Sequence, residues 1–256
     1  GNAGVAVTSI LSDTDNANVV VDLTATVLNR GDANNVVINL DSDSDTGVSS
    51  TDNLTNIQVP TFNVTGLTGN PVLAGTDSIY IVSSGTDTLL RSYVNADDMT
   101  FVIPDAKALE NQLIPHELTL VTKDRAGNKS GPSDTLKIRV DTSAPALGNA
   151  MDMLVSDDTG FLDNDDKTKV RTPKFEITPL EPNKKDELKV YYNTNELLVT
   201  HRMNYAVTDT VHVERVLNDG SYTFFYTVTD SAGNTSSSSA TKTVVIDSTS
   251  PGQPTL

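Results

Sequence analysis

Two copies of one sequence pattern fill most of this chain, and this repeat limits the possible folds more than any single residue does. Residues 45–67 align without a gap on residues 158–180, and Asp-Thr-Gly opens both segments. Further matched blocks are 124–128 with 230–234 (Asp-Arg-Ala-Gly-Asn and Asp-Ser-Ala-Gly-Asn) and 140–145 with 246–251 (Val-Asp-Thr-Ser-Ala-Pro and Ile-Asp-Ser-Thr-Ser-Pro). The chain is therefore an array of modules.

The spacing of the repeat sets the size of each module. The first block recurs after 113 residues (158 − 45) and the later blocks after 106 (230 − 124), so the first complete module holds seven extra residues. Solenoid repeats span only about 20–50 residues, so each module is expected to have its own core. We predict modules at 34–142 and 143–256. Residues 1–33 are interpreted as the end strand of a truncated preceding repeat plus a linker.

Apolar residues alternate with polar ones almost everywhere, which predicts β-strands separated by turns rich in Asp, Asn, Gly, Ser and Pro. Many short strands at regular spacing indicate an all-β fold of tandem immunoglobulin-like β-sandwiches in a rod-like array. The predicted strands lie near 35–40, 60–67, 117–123 and 134–140, and near 150–155, 173–179, 187–193, 196–201, 209–216, 221–229 and 238–247. Residues 105–113 predict one or two helical turns. Tyr222 is expected to bond back to the backbone at the start of a strand.

The charge of the chain is acidic and carried mainly by aspartate. Of 34 acidic residues, 27 are Asp, and the formal net charge is −16. This charge argues against a nucleic-acid-binding role, which needs Lys and Arg for phosphates, and no nucleic-acid partner is predicted. Asp favours both turns and hard-cation binding. The chain has no cysteine, which excludes disulfides and thiolate metal sites. It has no apolar run of membrane-spanning length, so no direct membrane insertion is predicted.

The immunoglobulin-like strand order predicts where these aspartates gather. It places the loop between the first two strands, the A–B loop, at the C-terminal pole of a module, and the F–G loop at the N-terminal pole. Three acidic elements would then converge at the joint between the two modules: an A–B loop, a linker and an F–G loop. Since close carboxylates repel, a bound Ca²⁺ is predicted among them. The predicted ligands are Asp43, Asp45, Asp52, Asp141, Asp230 and Asn234.

The same reasoning predicts two more calcium sites. One lies at the C-terminal pole of the last module, with Asp157, Asp158, Asp163, Asp165 and Asp247. The other lies at the N-terminal pole of the first complete module, with Asp22, Asp124 and Asn128. Loops of the Ala-Gly-Asn type also form good β-turns without any ion, and for one loop alone that interpretation is preferred. Three such elements in two copies favour calcium.

These motifs resemble bacterial Ig-like (BIg) repeat domains of giant non-fimbrial adhesins exported by type I secretion. The resemblance rests on residues 156–160 (Ser-Asp-Asp-Thr-Gly) with Asp165 and 172–173 (Thr-Pro), on 229–234 and on 246–251. It implies a secreted or bacterial cell-surface location, a stalk function in cell adhesion and virulence, and Ca²⁺ at or near the joints. The partners it implies are adjacent modules of the same chain and, through the parent protein, a host cell-surface glycan or receptor. A monomer is expected.

No enzymatic chemistry is predicted from the sequence. The three histidines have neither metal-ligand nor catalytic spacing, and the chain contains no Gly-x-Ser-x-Gly or phosphate-binding loop. A glycan- or receptor-binding module at the adhesin tip remains the main alternative, with the extra residues of the first complete module, within 70–115, as its candidate site. An accessory domain of a secreted hydrolase is a further alternative.

Overall fold

Short β-branched and aromatic segments form the strands of this protein, as their alternation predicts. The computed structural model describes residues 11–12, 18–19, 36–66, 78–84, 87–93, 99–123, 126–148, 151–178, 186–193, 196–203 and 208–254. Within these residues the chain divides into two units, Gly1–Asp141 and Thr142–Leu256, called unit 1 and unit 2 below.

The described residues of unit 1 form ten strands and one 3₁₀ turn. They are β1 (Leu11–Ser12), β2 (Asn18–Val19), β3 (Val37–Leu40), β4 (Leu54–Thr55), β5 (Thr61–Thr65), β6 (Ser78–Ser83), β7 (Asp87–Tyr93), β8 (Met99–Val102), η1 (Asp105–Lys107), β9 (His116–Lys123) and β10 (Leu136–Val140). Strands β1 and β2 pair with each other. The others form a three-stranded sheet, in the order β3-β5-β8, and a five-stranded sheet, in the order β4-β10-β9-β6-β7.

Unit 2 repeats the three- and five-stranded sheets of unit 1 strand for strand. Its strands are β11 (Asp152–Met153), β12 (Lys167–Thr168), β13 (Lys174–Ile177), β14 (Glu187–Tyr192), β15 (Glu196–Arg202), β16 (Asp209–His212), β17 (Gly220–Thr229) and β18 (Lys242–Ile246). They form sheets in the orders β11-β13-β16 and β12-β18-β17-β14-β15. Both units are therefore β-sandwiches with immunoglobulin-like topology, which confirms the predicted all-β, tandem Ig-like fold class.

Each unit has its own apolar core between its two sheets. Phe62 on β5 and the equivalent Phe175 on β13 are both 0% exposed. Phe62 packs in a cluster with Ile81 of the other sheet, and the Phe175 ring packs against Phe224 of β17 in a tilted arrangement, with centroids 4.8 Å apart. Burying each of these rings stabilises its unit by about 1.5–3 kcal/mol.

The short helical segment expected within residues 105–113 is confirmed as a single turn, the three-residue 3₁₀ turn η1. After this turn, the Leu109 side chain is buried, with 3% exposure, and the Leu109 N–H donates to the Gln58 carbonyl at 2.7 Å. The predicted Tyr222 corner is confirmed, because its hydroxyl donates to the Asn218 carbonyl at 3.0 Å.

Candidate functional site

The A–B loops of the two units share their main anchoring hydrogen bonds, although the glycine of Asp-Thr-Gly has a positive φ of 94° at Gly47 and not at Gly160. A short parallel pairing anchors each loop beside the last strand of its unit: Thr55 lies opposite Val140, and Thr168 opposite Ile246. Thr46 Oγ1 accepts the N–H of Asn56 at 2.9 Å, and in unit 2 the equivalent Thr159 does the same for Lys169 at 2.9 Å. The Asp and Thr of this motif therefore anchor the loop in the same way in both units.

The aspartate of Asp-Thr-Gly lies at the centre of each loop. Asp45 and Asp158 are only 5% and 7% exposed. Their Oδ2 atoms accept the N–H groups of Asn53 at 3.1 Å and Asp166 at 3.0 Å. Their Oδ1 atoms are buried and receive no hydrogen bond. A buried, donor-free carboxylate oxygen is costly, and here it recurs at the same position in both units.

A second carboxylate accompanies the first one in each loop. Burial raises the pKa of Asp45, and the nearby carboxylate of Asp52 raises it further, against the opposing effect of the Asn53 N–H. In unit 2 the carboxylate of Asp165, equivalent to Asp52, lies against Gly160. A Cβ there would come within 2.5 Å of Asp165 Oδ1 and 3.0 Å of the Lys167 carbonyl oxygen. Glycine thus permits a close grouping of oxygen atoms, the kind of ligand that Ca²⁺ prefers.

The linker aspartates lie beside these loops within their own units. The Asp141 N–H donates to the Thr55 carbonyl at 2.8 Å, and the Asp247 N–H donates to the Thr168 carbonyl at 2.9 Å. The Asp141 carboxylate also forms an ion pair with Arg139 at 3.5 Å. Asp247 Oδ1 accepts the Thr249 N–H at 3.0 Å.

Three other predicted ligands differ in their surroundings. Asp157 is buried, and its Oδ2 accepts the Lys174 N–H at 2.9 Å. The equivalent Ser44 bonds the Thr61 N–H at 2.9 Å, so this position has a structural role that either side chain performs. Asp43 and Asp163 are both exposed.

The F–G loop of unit 2 is closed by its own predicted ligands. Asp230 Oδ1 accepts the N–H groups of Ala232 and Asn234, each at 2.9 Å, and Oδ2 accepts the Asn234 side-chain amide at 2.9 Å. These bonds fold the loop from within, as the turn interpretation of the sequence expects.

The remaining predicted site lies mostly outside the described residues, because these include neither Asp22 nor Asp124. Its third predicted ligand, Asn128, is described and is half-buried. Among the residues that the structure describes, no group of three or more His, Cys, Asp or Glu side chains is arranged to hold a metal ion. The same part of the chain has no helix that is long and apolar enough to span a bilayer.

Sequence reasoning missed the serines that follow each F–G loop. Ser130 and Ser236 accept the N–H groups of Thr122 and Val228, each at 2.9 Å. Ser133 and Ser239 repeat this bond further along the same strands, at 2.9 and 3.0 Å. In both repeats the two serines are three residues apart, and this shared spacing could have predicted their common role.

Comparison with known proteins explains the repeat. A family profile described as "Bacterial Ig-like domain" matches residues 32–142 and again 146–248. The chain belongs to the bacterial Ig-like domain family. It carries two of these domains in tandem, and the A–B loops described above are equivalent parts of the two.

Several solved structures are also similar to these bacterial Ig-like domains. A "Biofilm associated protein - BSP domain" is 18% identical, with 76% of this chain and 28% of that chain covered and a TM-score of 0.28. A 1.5-MDa bacterial ice-binding adhesin structure is 18% identical, with 82% and 64% covered and a TM-score of 0.38. Fibronectin(III)-like modules of Clostridium thermocellum CbhA are 9% identical, with 82% and 94% covered and a TM-score of 0.45. This chain thus spans about 28% of the first of these relatives. Comparison with curated proteins gives no match.

Proposed function

We propose that this chain is a non-enzymatic stalk segment of a large bacterial surface adhesin, and that Ca²⁺ bound at the A–B loop of each Ig-like unit stiffens it. The family assignment supports an extracellular structural or adhesive module. The calcium part rests on one observation: the buried, donor-free Oδ1 atoms of Asp45 and Asp158. A cation beside each Oδ1 atom would interact with this oxygen, which receives no hydrogen bond from the protein.

The residues of each loop fit a hard cation. In unit 1 the carboxylates of Asp45 and Asp52 would hold the ion, and in unit 2 those of Asp158 and Asp165. Carbonyl, hydroxyl and water oxygens would complete a shell of about 6–8 ligands, which calcium accepts with loose geometry. When bound, the ion supplies positive charge that offsets the repulsion between each pair of carboxylates.

Calcium would act mechanically through the connection of each loop to the last strand. Because Thr55 and Thr168 bond the N–H groups of Asp141 and Asp247, an ordered A–B loop also orders the start of the following segment. Extracellular modules bind calcium with a Kd of roughly 10⁻⁴–10⁻³ M, so the segment would be looser in the cytosol and stiffer outside the cell.

Thermal unfolding with calcium and with a chelator tests this proposal. Ligand binding to the native state alone raises its stability by mass action, so calcium is expected to raise the Tm, and magnesium much less. X-ray scattering of the same samples is expected to show a longer maximum dimension with calcium. An unchanged Tm together with an unchanged dimension contradicts the proposal.

A further inference from the structure

The outer face of the large sheet in unit 1 contains a groove of about 400 Å³. Along β6 and β9, Ile81 and Leu120 point into the core, and the alternate side chains line the groove. Tyr80 lies opposite Val121, and Val82 lies opposite Thr119. This gives the groove an apolar floor with threonine hydroxyls beside it.

Two lysines lie at one end of this groove. Lys123 and Lys129 face each other across an isolated antiparallel bridge, and both line the groove. The Lys123 side chain runs along the F–G turn, since a Cβ on Gly127 would lie 3.7 Å from its Cε atom. Directly opposed like charges destabilise a strand pair. An anion bound between the two ammonium groups would remove that repulsion.

Unit 2 has neither the apolar floor nor the lysine pair at the equivalent positions, and Lys189, paired with Glu187, takes the place of Tyr80. Tyr191 and Phe225 take the places of Val82 and Thr119, and their rings stack with centroids 5.2 Å apart. Thr229 and Thr235 take the places of Lys123 and Lys129, and their hydroxyls bond each other at 2.8 Å. In unit 2 these side chains therefore contact each other, whereas in unit 1 the same positions form an open groove with two lysines.

We propose that this groove of unit 1 binds an acidic sugar, meaning a sugar ring that carries a carboxylate or a sulfate. The volume lies within the range of small-ligand pockets and suits one or two sugar rings. Val82, Val121 and the Tyr80 ring would contact the C–H face of the sugar, and Thr88 and Thr119 would bond its hydroxyls. Lysine binds anions as a point charge, so it accepts either acidic group.

A peptide fits the groove less well than a sugar does. Peptides commonly bind sheets by adding a strand to a free edge. Strands β6 and β9 are both interior to the sheet order β4-β10-β9-β6-β7, so their backbones are already paired. Only side chains are available in the groove, which favours a compact, polyhydroxylated ligand.

NMR titration of the whole 256-residue chain tests this inference. The probes are N-acetylneuraminic acid, glucuronic acid and a sulfated N-acetylglucosamine, with unmodified N-acetylglucosamine as the neutral control. We expect the backbone amides of Lys123 and Lys129 to shift with at least one acidic sugar and not with the neutral one. The carboxylated and sulfated arms identify which acidic group is preferred. Binding is expected to weaken with added salt.

Substitution by the residues of unit 2 gives a matched set of variants. The double variant Lys123→Thr, Lys129→Thr introduces the threonine pair found at the equivalent bridge of unit 2, Thr229 and Thr235. It is expected to weaken sugar binding by about tenfold or more. Thr119→Phe is expected to fill the groove with the same effect. Lys137→Thr removes one charge from β10, outside the groove, and is expected to leave the affinity unchanged.

Several results would overturn the inference. They are an absence of shifts at about 20 mM of every acidic sugar, equal binding of the neutral sugar, tighter binding of an acidic peptide, and undiminished binding by the double lysine variant. The inference does not depend on the calcium proposal, because the groove contains none of the A–B loop residues. Sugar binding is therefore expected to persist in chelator.

Discussion

Asp45 Oδ2 accepts the backbone N–H of Asn53 at 3.1 Å, while Oδ1 of the same carboxylate is buried and receives no hydrogen bond. The equivalent Asp158 shares both properties, with Asp166 as donor at 3.0 Å. One oxygen of each carboxylate thus orients the loop and the other is left for a ligand. An aspartate that only stabilises a turn needs only the oxygen that accepts the backbone N–H.

Replacing both central aspartates separates these two roles. The double variant Asp45→Asn, Asp158→Asn is expected to lose the calcium-induced rise in Tm. In chelator, the same change removes charge repulsion around Asp52 and Asp165, so the variant is expected to be at least as stable as the parent. Differential scanning calorimetry in calcium and in chelator measures both effects.

Asp105→Asn is the matched control for that experiment, because Asp105 is exposed and lies outside both A–B loops. It is expected to retain the full calcium response. A calcium response of normal size in the double variant would exclude Asp45 and Asp158 as ligands.

The two loops are expected to differ in calcium affinity. In unit 2, Lys167 pairs with Asp165 at 3.4 Å, and Lys242 pairs with Asp166 at 2.9 Å. The equivalents of these lysines in unit 1 are Leu54 and Leu136. Lysine charge near the carboxylates competes with a bound cation, so Lys167→Leu is expected to tighten calcium binding in unit 2 by roughly threefold to tenfold.

Isothermal titration calorimetry in an Asp45→Asn background measures that change for unit 2 alone. Lys189→Leu, which removes a lysine paired with Glu187, serves as the control and is expected to have no effect. Unchanged or weaker binding by Lys167→Leu would show that this lysine does not oppose the ion.

Gly160 is expected to be required for the shape of the A–B loop. An alanine Cβ would come within 2.5 Å of Asp165 Oδ1 and 3.0 Å of a backbone oxygen, so the loop must shift. Gly160→Ala is expected to lower the free energy of unfolding by about 1–3 kcal/mol in a urea titration. Gly131→Ala meets no atom within 4 Å and is expected to cost much less. Equal effects of the two changes would contradict this account.

The linker after β18 is expected to loosen in acid. Hydrogen bonds from Ser248 and Thr249 lower the pKa of Asp219 below its ordinary value of 3.8. A lowered folded-state pKa contributes stability above the unfolded-state value, and this stability is lost as the pH falls through the folded-state pKa. The Tm of the parent should therefore exceed that of Asp219→Asn near neutral pH, and the gap should close in strong acid. A gap that is independent of pH would mean that the charge of Asp219 is irrelevant.

Much of the fold follows from sequence because alternation and repetition act locally. Phe175 and Val244 lie in predicted strands, and so do their equivalents in the first repeat, Phe62 and Ile138. Strands β6, β7 and β8 were not predicted, since they lie between the aligned blocks, where the register of the repeat changes. From Val102 to His116, unit 1 has 13 intervening residues, against 9 between the equivalent His212 and Tyr222.

The candidate site was predicted only in outline. The Asp-Thr-Gly repeat located Asp45 and Asp158. It did not show which carboxylate oxygen accepts the backbone N–H, because that bond depends on the left-handed backbone of Asn53 and Asp166, with φ of 58° and 57°. The groove of unit 1 was not predicted as such, since the candidate region within 70–115 contains only Tyr80, Val82 and Thr88 of its lining. It depends on Lys123 and Lys129 meeting across a bridge, and this contact is visible only once the F–G loop is folded.

The most direct test of the calcium proposal is a calcium titration followed at the backbone amides of Asn53 and Asp166, whose N–H groups bond the second oxygen of each candidate carboxylate. If both loops bind calcium, both resonances are expected to shift and saturate with a Kd of roughly 10⁻⁴–10⁻³ M, and magnesium at the same concentrations is expected to have a much smaller effect. Resonances that stay fixed through millimolar calcium would show that neither A–B loop binds the ion.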